Sequence, residues 1–337
     1  MPYYPPQPDR QNTEPPRNRK ILRRVILCAS ALMILYGAVR LAGYAADLAA
    51  SRRTARELRE SMESTDEPAE EEKTPAQETA AETKAAPETK AEPGKETPPE
   101  QETPEQTSSE QISPEQASPE KEVQPEKLPA VPYPNGYQMV SRIQKLRRKS
   151  EYIIGWITMD GLDEPVAQKD NSFFLDHDAT GRRNVNGALF MDENTGLLTR
   201  PYTILVYGHN MKTGAMFGGL KKYEDYAYCY QHRVFQFDTI YEEGQFAVFA
   251  VETISLVPGT GRYVDLAALQ STGRESRRGA LKALESRSLH NLMLDVNEED
   301  QVLLLVTCVG NDDERLIVAA RRLREGEKAD RLTLKNR

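Results

Sequence analysis

The chain is poor in the residues that build disulfide, metal and nucleic-acid chemistry. Three cysteines occur among 337 residues: Cys28, Cys229 and Cys308. They are too few for a disulfide framework, and their spacing matches no zinc site. Four histidines leave a short list of groups for proton transfer near neutral pH. Hydrophobic residues make up only 38% of the chain, low for a wholly globular protein. The net charge is -8, with much of the acid in one central tract. Phosphate binding needs a basic stripe, so nucleic acid is not expected as a main partner.

What is present falls into four regions. Residues 1–24 open on YYPPQP and end in a basic cluster of Arg17, Arg19, Lys20, Arg23 and Arg24. This composition predicts a disordered cytoplasmic segment. Residues 25–46 form one apolar run, VILCASALMILYGAVRLAGYAA, which predicts a single transmembrane helix. Arg40 sits near one end of the run, where its stem can snorkel to the interface. The run exceeds the apolar core of a signal peptide, so an uncleaved anchor is expected over a cleaved leader.

Residues 47–132 are expected to be an extracytoplasmic spacer. From about Asp66 they are Glu, Pro, Thr, Ala, Gln and Lys with almost no large apolar side chain. Such a tract cannot offset its ordering entropy by burial, and prolines and like charges keep it extended. The expectation is a spacer that holds a domain away from the membrane.

Residues 133–337 read as one globular domain. GYQMVSRIQKLRRKS has the spacing of an opening amphipathic helix. Short apolar runs follow, among them IIGWITM, YTILVYG, QFAVFAVETISLV, QVLLLVTC and RLIVAARRL, separated by turn-rich pieces. Many short strands at this spacing predict a mostly β fold, a barrel or sandwich. LAALQSTGRESRRGALKALESRSL has helical spacing and predicts a helix-bearing insertion before the strand that ends in Cys308.

Three residues stand at edges of apolar strands. Cys308 ends the most apolar run of the domain, where a buried strand holds its last residues rigidly. Arg315 opens the next strand, and a hairpin would return it beside Cys308. A guanidinium there can lower a thiol pKa or steady an oxyanion. His209 follows an apolar strand and Gly208, a good place for a general acid or base. His177, His232 and His290 follow no apolar strand directly, and Cys229 in YAYCYQ reads as packing. Taken singly, each candidate has a bland alternative: a structural cysteine, a solvated arginine, a hydrogen-bonded histidine. Together a thiol, a cation and a proton carrier suit acyl transfer through a thioester.

From about Ile153 to Leu323 the domain resembles class B sortases. The blocks IIGWITM, EPVAQKDNSFFLDHD, NGALFMDEN, YTILVYGHNMKTGAMFGGLKKYED, LLLVTC and ERLIVAARRL occur in that order. The resemblance implies an eight-stranded β-barrel with an N-terminal helix, and a catalytic set of His209, Cys308 and Arg315. It also implies that Asn210 and Thr307 contact the substrate. The implied reaction cleaves a C-terminal sorting motif, Asn-Pro-x-Thr-Asn or similar, of secreted proteins. The acyl group then passes to a cell-wall precursor or pilin amine. No metal or cofactor is called for. Val306 stands where the family commonly has a small hydroxylic residue, and this bears on the sorting motif. Two other readings use the same sequence: a hydrolase with water as acceptor, and a membrane-tethered, wall-spanning binding or adhesion protein without catalysis.

Overall fold

The architecture comes from a computed structural model that describes residues 17–64, 126–309 and 311–332. Side chains at 17–21, 23, 308, 309, 311 and 312 fall outside that description. The expectations for most of the N-terminal segment and for the Pro/Glu-rich tract therefore concern residues outside the described ones.

Helix α1 runs from Arg17–Glu63. Its first half carries the exposed apolar side chains of the run at 25–46, and it is long and apolar enough to cross a membrane. The helix does not stop at residue 46. Tyr44, Leu48, Ser51, Ala55, Leu58 and Met62 recur at alternating spacings of four and three, which lines up one narrow face. Ser51, Ala55 and Leu58 are buried; Leu58 belongs to the core cluster and the partly buried Met62 packs against it. Residues 47–63, expected as part of the spacer, thus form helix packed on the globular domain. Arg59 pairs with Asp163, and Asn184 donates its Nδ2 to the Asp47 carbonyl at 3.0 Å.

A short helix, α2 (Ser141–Arg147), fulfils the expected opening helix and buries Ile143 and Leu146. Eight strands follow: β1 (Ile153–Met159), β2 (Leu162–Ala167), β3 (Leu189–Met191), β4 (Thr203–Tyr207), β5 (Val234–Thr239), β6 (Gln245–Ser255), β7 (Val302–Val309) and β8 (Asn311–Arg322). They close into a barrel in the order β1-β2-β3-β4-β7-β8-β6-β5. Full closure leaves no open sheet edge. Between β5 and its predecessor lies α3 (Tyr226–Gln231), and between β6 and β7 lie α4 (Leu266–Gln270) and α5 (Arg274–Arg287), the expected insertion. A last helix, α6 (Ala329–Leu332), follows β8.

Two cores explain why the run before Cys308 is apolar without alternation. Leu303 and Leu305 join the barrel interior, while Val302, Leu304 and Val306 pack in a second core with Leu281 and Leu284 of α5. A strand covered on both faces needs apolar residues on both. Each such side chain contributes about 1.5–3 kcal/mol by leaving water.

The insertion is held by a buried arginine. Arg277 of α5 donates to the carbonyls of Glu298, Leu269, Tyr202 and Asp300 and to the Thr203 hydroxyl. Burial pulls its pKa down to about 10. Leu269 belongs to α4, and the other acceptors lie at or just before the starts of β4 and β7, the two strands that lead to the site.

Candidate active site

Strands β4 and β7 run parallel, with Tyr207 opposite Val306. His209 and Cys308 each lie two positions beyond that pair, so both emerge at the same end of the barrel. Strands β7 and β8 are antiparallel, and Cys308 stands opposite Arg315 in their register. Three neighbouring strands therefore bring the three expected residues to one rim. Neighbouring strands lie roughly 5 Å apart.

Backbone geometry fixes the turn after β4. The Gly208 amide donates to the Val306 carbonyl at 3.2 Å, and Thr307 Oγ1 donates to the Gly208 carbonyl at 2.7 Å. A Cβ on Gly208 would meet Leu189 Cδ2 at 2.4 Å and the Phe217 ring at 2.8 Å. The glycine is there for close approach, and its φ is not in the left-handed region. The carbonyl of His209 accepts from the amides of Met211 and Phe217. Met216, at φ 50, closes this turn in a left-handed conformation that bulky residues rarely adopt.

A groove of about 320 Å³ lies on this rim. Tyr207, His209, Thr307 and Arg315 line it, together with Asn171 and Leu175 from the segment after β2. Leu256 and Leu266, from the end of β6 and from α4, add apolar wall. The His209 ring places Nε2 2.8 Å from the Leu175 carbonyl. A carbonyl only accepts, so this Nε2 carries a proton. Arg315 is half-buried and donates through Nη1 to the Glu314 carbonyl at 2.9 Å.

Not every expected residue joins the groove. Thr307 lines it, but its hydroxyl is committed to Gly208. Asn210 is exposed on the turn beyond His209, bridged to Met216, and is not among the groove's lining residues. His177 stacks on Phe173, His232 lies near Asp160, and His290 bonds the Tyr223 carbonyl, all away from the groove lining. Cys229 is fully buried, and burial pushes its thiol up to about 12, against a smaller opposing effect of Arg233. That thiol stays protonated and unreactive at neutral pH.

Sequence reasoning missed the residue that orders the groove floor. Asp192, just after β3, is buried and accepts from Asn171 Nδ2 at 3.0 Å, Tyr207 Oη at 3.1 Å, Gln270 Nε2 at 3.1 Å and the Asn194 amide at 2.9 Å. Burial alone would raise its pKa. The bonds from Gln270, Asn194, Asn171 and Tyr207 outweigh that, and the carboxyl sits below its usual range. The same arrangement, burial first and the Asp192 charge second, drives the Tyr207 phenol above its usual range despite the opposing Arg315 charge. Tyr207 stays a neutral phenol whose proton points at Asp192, so its oxygen offers the groove only an acceptor. The one available signal was a polar-headed aromatic two positions before the histidine.

Residues 157–323 match the sortase domain family. Sortase B of Listeria monocytogenes is 30% identical over 173 residues, which cover 49% of this chain and 66% of that protein. Sortase B of Staphylococcus aureus is 24% identical over 186 residues, covering 53% of this chain and 74% of that one. A crystal structure of sortase B from Bacillus anthracis superposes with a TM-score of 0.50 at 27% identity, covering 58% of this chain and 89% of the other. The chain thus spans just under two thirds of the Listeria protein's length. With the barrel, the insertion and the sequence blocks agreeing, the chain belongs to the sortase family and stands with its class B members.

Proposed function

We propose that the domain is a cysteine transpeptidase that works through a thioester on Cys308. The observation that carries this reading is the register of β4, β7 and β8, which gathers His209, Cys308 and Arg315 on one groove rim. The Cys308 thiolate attacks the threonine carbonyl of an Asn-Pro-x-Thr-Asn-like motif near the C-terminus of a secreted protein. A C–S bond forms, and the scissile C–N bond breaks as the tetrahedral intermediate collapses. The leaving amine takes a proton from His209. An acceptor amine, from a cell-wall precursor or a pilin lysine, then gives a proton to His209 and attacks the thioester. A new amide forms and the thiolate is released.

Each residue has a physical reason for its part. The Nε2–H of His209 is held by Leu175, which leaves Nδ1 as the nitrogen for proton exchange. Arg315, half-buried opposite Cys308, favours the thiolate and the oxyanion by its charge. The apolar groove wall of Leu256 and Leu266 suits the proline of the motif. The apolar half of α1 anchors the chain, with its basic N-terminal cluster in the cytoplasm and the barrel outside.

A panel of quenched fluorescent pentapeptides, with and without a small amine, tests the reading. Cleavage that accelerates with amine and yields the amide product supports transfer. Cleavage insensitive to amine would assign a hydrolase, and no cleavage of any peptide would favour a binding module.

A further inference from the structure

The helix that crosses the membrane also touches the barrel, and the point of first contact is close to the bilayer. At about 1.5 Å per residue, the run from Val25 to Ala46 spans about 33 Å, close to the ~30 Å hydrocarbon thickness. Asp47 follows directly. Its carbonyl accepts from Asn184 Nδ2 at 3.0 Å, and its Oδ2 accepts from the Val185 amide at 3.2 Å. If Arg40 instead marks the boundary, Asp47 stands only about 10 Å higher, still beside the headgroups.

The loop that meets Asp47 is built to touch such a surface. Arg182, Arg183 and Val185 are exposed, with Val185 at 52% despite its apolar side chain. Asp178 is buried and shapes the loop by accepting from the amides of Thr180 and Arg182. Arg52 and Arg53 of α1 are also exposed, just past Asp47. Exposed arginines around an apolar tip suit anionic headgroups over an acyl boundary. The acidic groups nearby are used within the protein: Asp47 by Val185, and Asp176 by Arg183 and His177.

The residues that flank the Pro/Glu-rich tract are bonded to the globular unit. The tract's N-terminal flank, Ser64, accepts at its carbonyl from Lys145 of α2. Its C-terminal flank, Glu126 to Leu128, bonds the backbone of Thr272 and Arg274 at the start of α5. Both ends are fastened to the same globular unit.

We propose that the catalytic barrel sits directly on the membrane, with the loop 176–187 pressed against anionic lipid headgroups through Arg182, Arg183 and Val185. The same loop is bonded to the groove: the Asn184 amide donates to the Asp176 carbonyl, and the adjacent Leu175 carbonyl holds His209. The active groove therefore opens close to the bilayer surface. This inference rests on the anchoring role proposed for α1.

The test uses the full chain in vesicles of phosphatidylglycerol and phosphatidylcholine in equal parts. Cys28→Ala and Cys308→Ala leave the buried Cys229 as the one native thiol, and a single fluorophore is attached at Val185→Cys or at Glu299→Cys, in the exposed segment that enters β7 at the end of the barrel opposite the groove. Headgroup-nitroxide lipid is expected to quench most of the fluorescence at 185 and little at 299. Arg182→Glu with Arg183→Glu is expected to reduce the quenching at 185, and replacing phosphatidylglycerol by phosphatidylcholine is expected to do the same. Equal quenching at both positions, or none at either, in protein that resists carbonate extraction would overturn the docking while leaving the anchor intact. Protein released by carbonate would overturn the anchor, and the docking with it.

Discussion

Thr307 donates its buried hydroxyl to the carbonyl of Gly208 at 2.7 Å, joining the residue before Cys308 to the residue before His209. The bond ties together the two strands that carry the proposed catalytic pair. Thr307→Val keeps the shape but leaves the Gly208 carbonyl unsatisfied in a buried place, at a cost of about 1–3 kcal/mol. The variant is expected to fold, to melt at a lower temperature, and to lose kcat more than it gains in KM. Thr307→Ser should recover most of the rate. Peptide-cleavage kinetics beside thermal melts check both.

The barrel, the opening helix and the insertion were legible because their patterns are local. The run of Val302 to Val306 shows its two-sided burial in its own residues, and Gly208 before His209 signals a close approach. Asp192 was not legible, because Asn171, Tyr207 and Gln270 come from separated segments and meet only in the fold. The docked half of α1 was hidden for another reason. Ser51, Ala55, Leu58 and Met62 form a sparse stripe among arginines and glutamates, which looks solvated until a partner surface exists.

Asp192 makes the groove floor sensitive to acid. Its pKa is lowered in the folded state, so its contribution is present above the unfolded value of about 3.9 and is lost as pH falls through the folded value. The native chain should lose stability over that acid range, and Asp192→Asn should show a smaller loss there. The variant should also raise KM, since Asn171 and Tyr207 lose their common acceptor. Melts from pH 7 down to about pH 3 and KM at neutral pH are the measurements.

Glu164 makes the α1 contact sensitive to base. It lies beside Ser51, Thr54 and Ala55, and burial raises its pKa to about 7, with Asp163 adding to the rise and Arg52 opposing it. The protonated form is favoured when the helix is docked. Its contribution is therefore full below about pH 4.3 and declines as pH rises through about 7. Glu164→Gln is expected to melt higher than the native chain at pH 8 and nearly the same at pH 4. A variant that tracks the native chain at both would contradict this placement.

Arg277 is expected to be the least tolerant position of the insertion. Arg277→Lys cannot reach all four carbonyls, and Arg277→Met takes the Arg277 bond from each, although the Leu269 and Tyr202 carbonyls keep the Thr203 hydroxyl and the Val302 amide. Each buried carbonyl left without a donor costs about 1–3 kcal/mol. Urea titration followed by the signal of the single tryptophan, Trp156, gives the change in midpoint, with the methionine variant the lower of the two.

The most direct test of the account is the intact mass of the full chain in detergent after incubation with a cleaved sorting peptide. Full-length protein is used because Leu58 of α1 belongs to the core and Met62 packs against it. A thioacyl adduct is expected on the native chain and absent from Cys308→Ala. It should form more slowly in Arg315→Ala and be discharged by added amine. In His209→Ala, formation and discharge should both slow. An adduct that persists in Cys308→Ala, or a folded native chain that forms none with any peptide it cleaves, would contradict catalysis through Cys308.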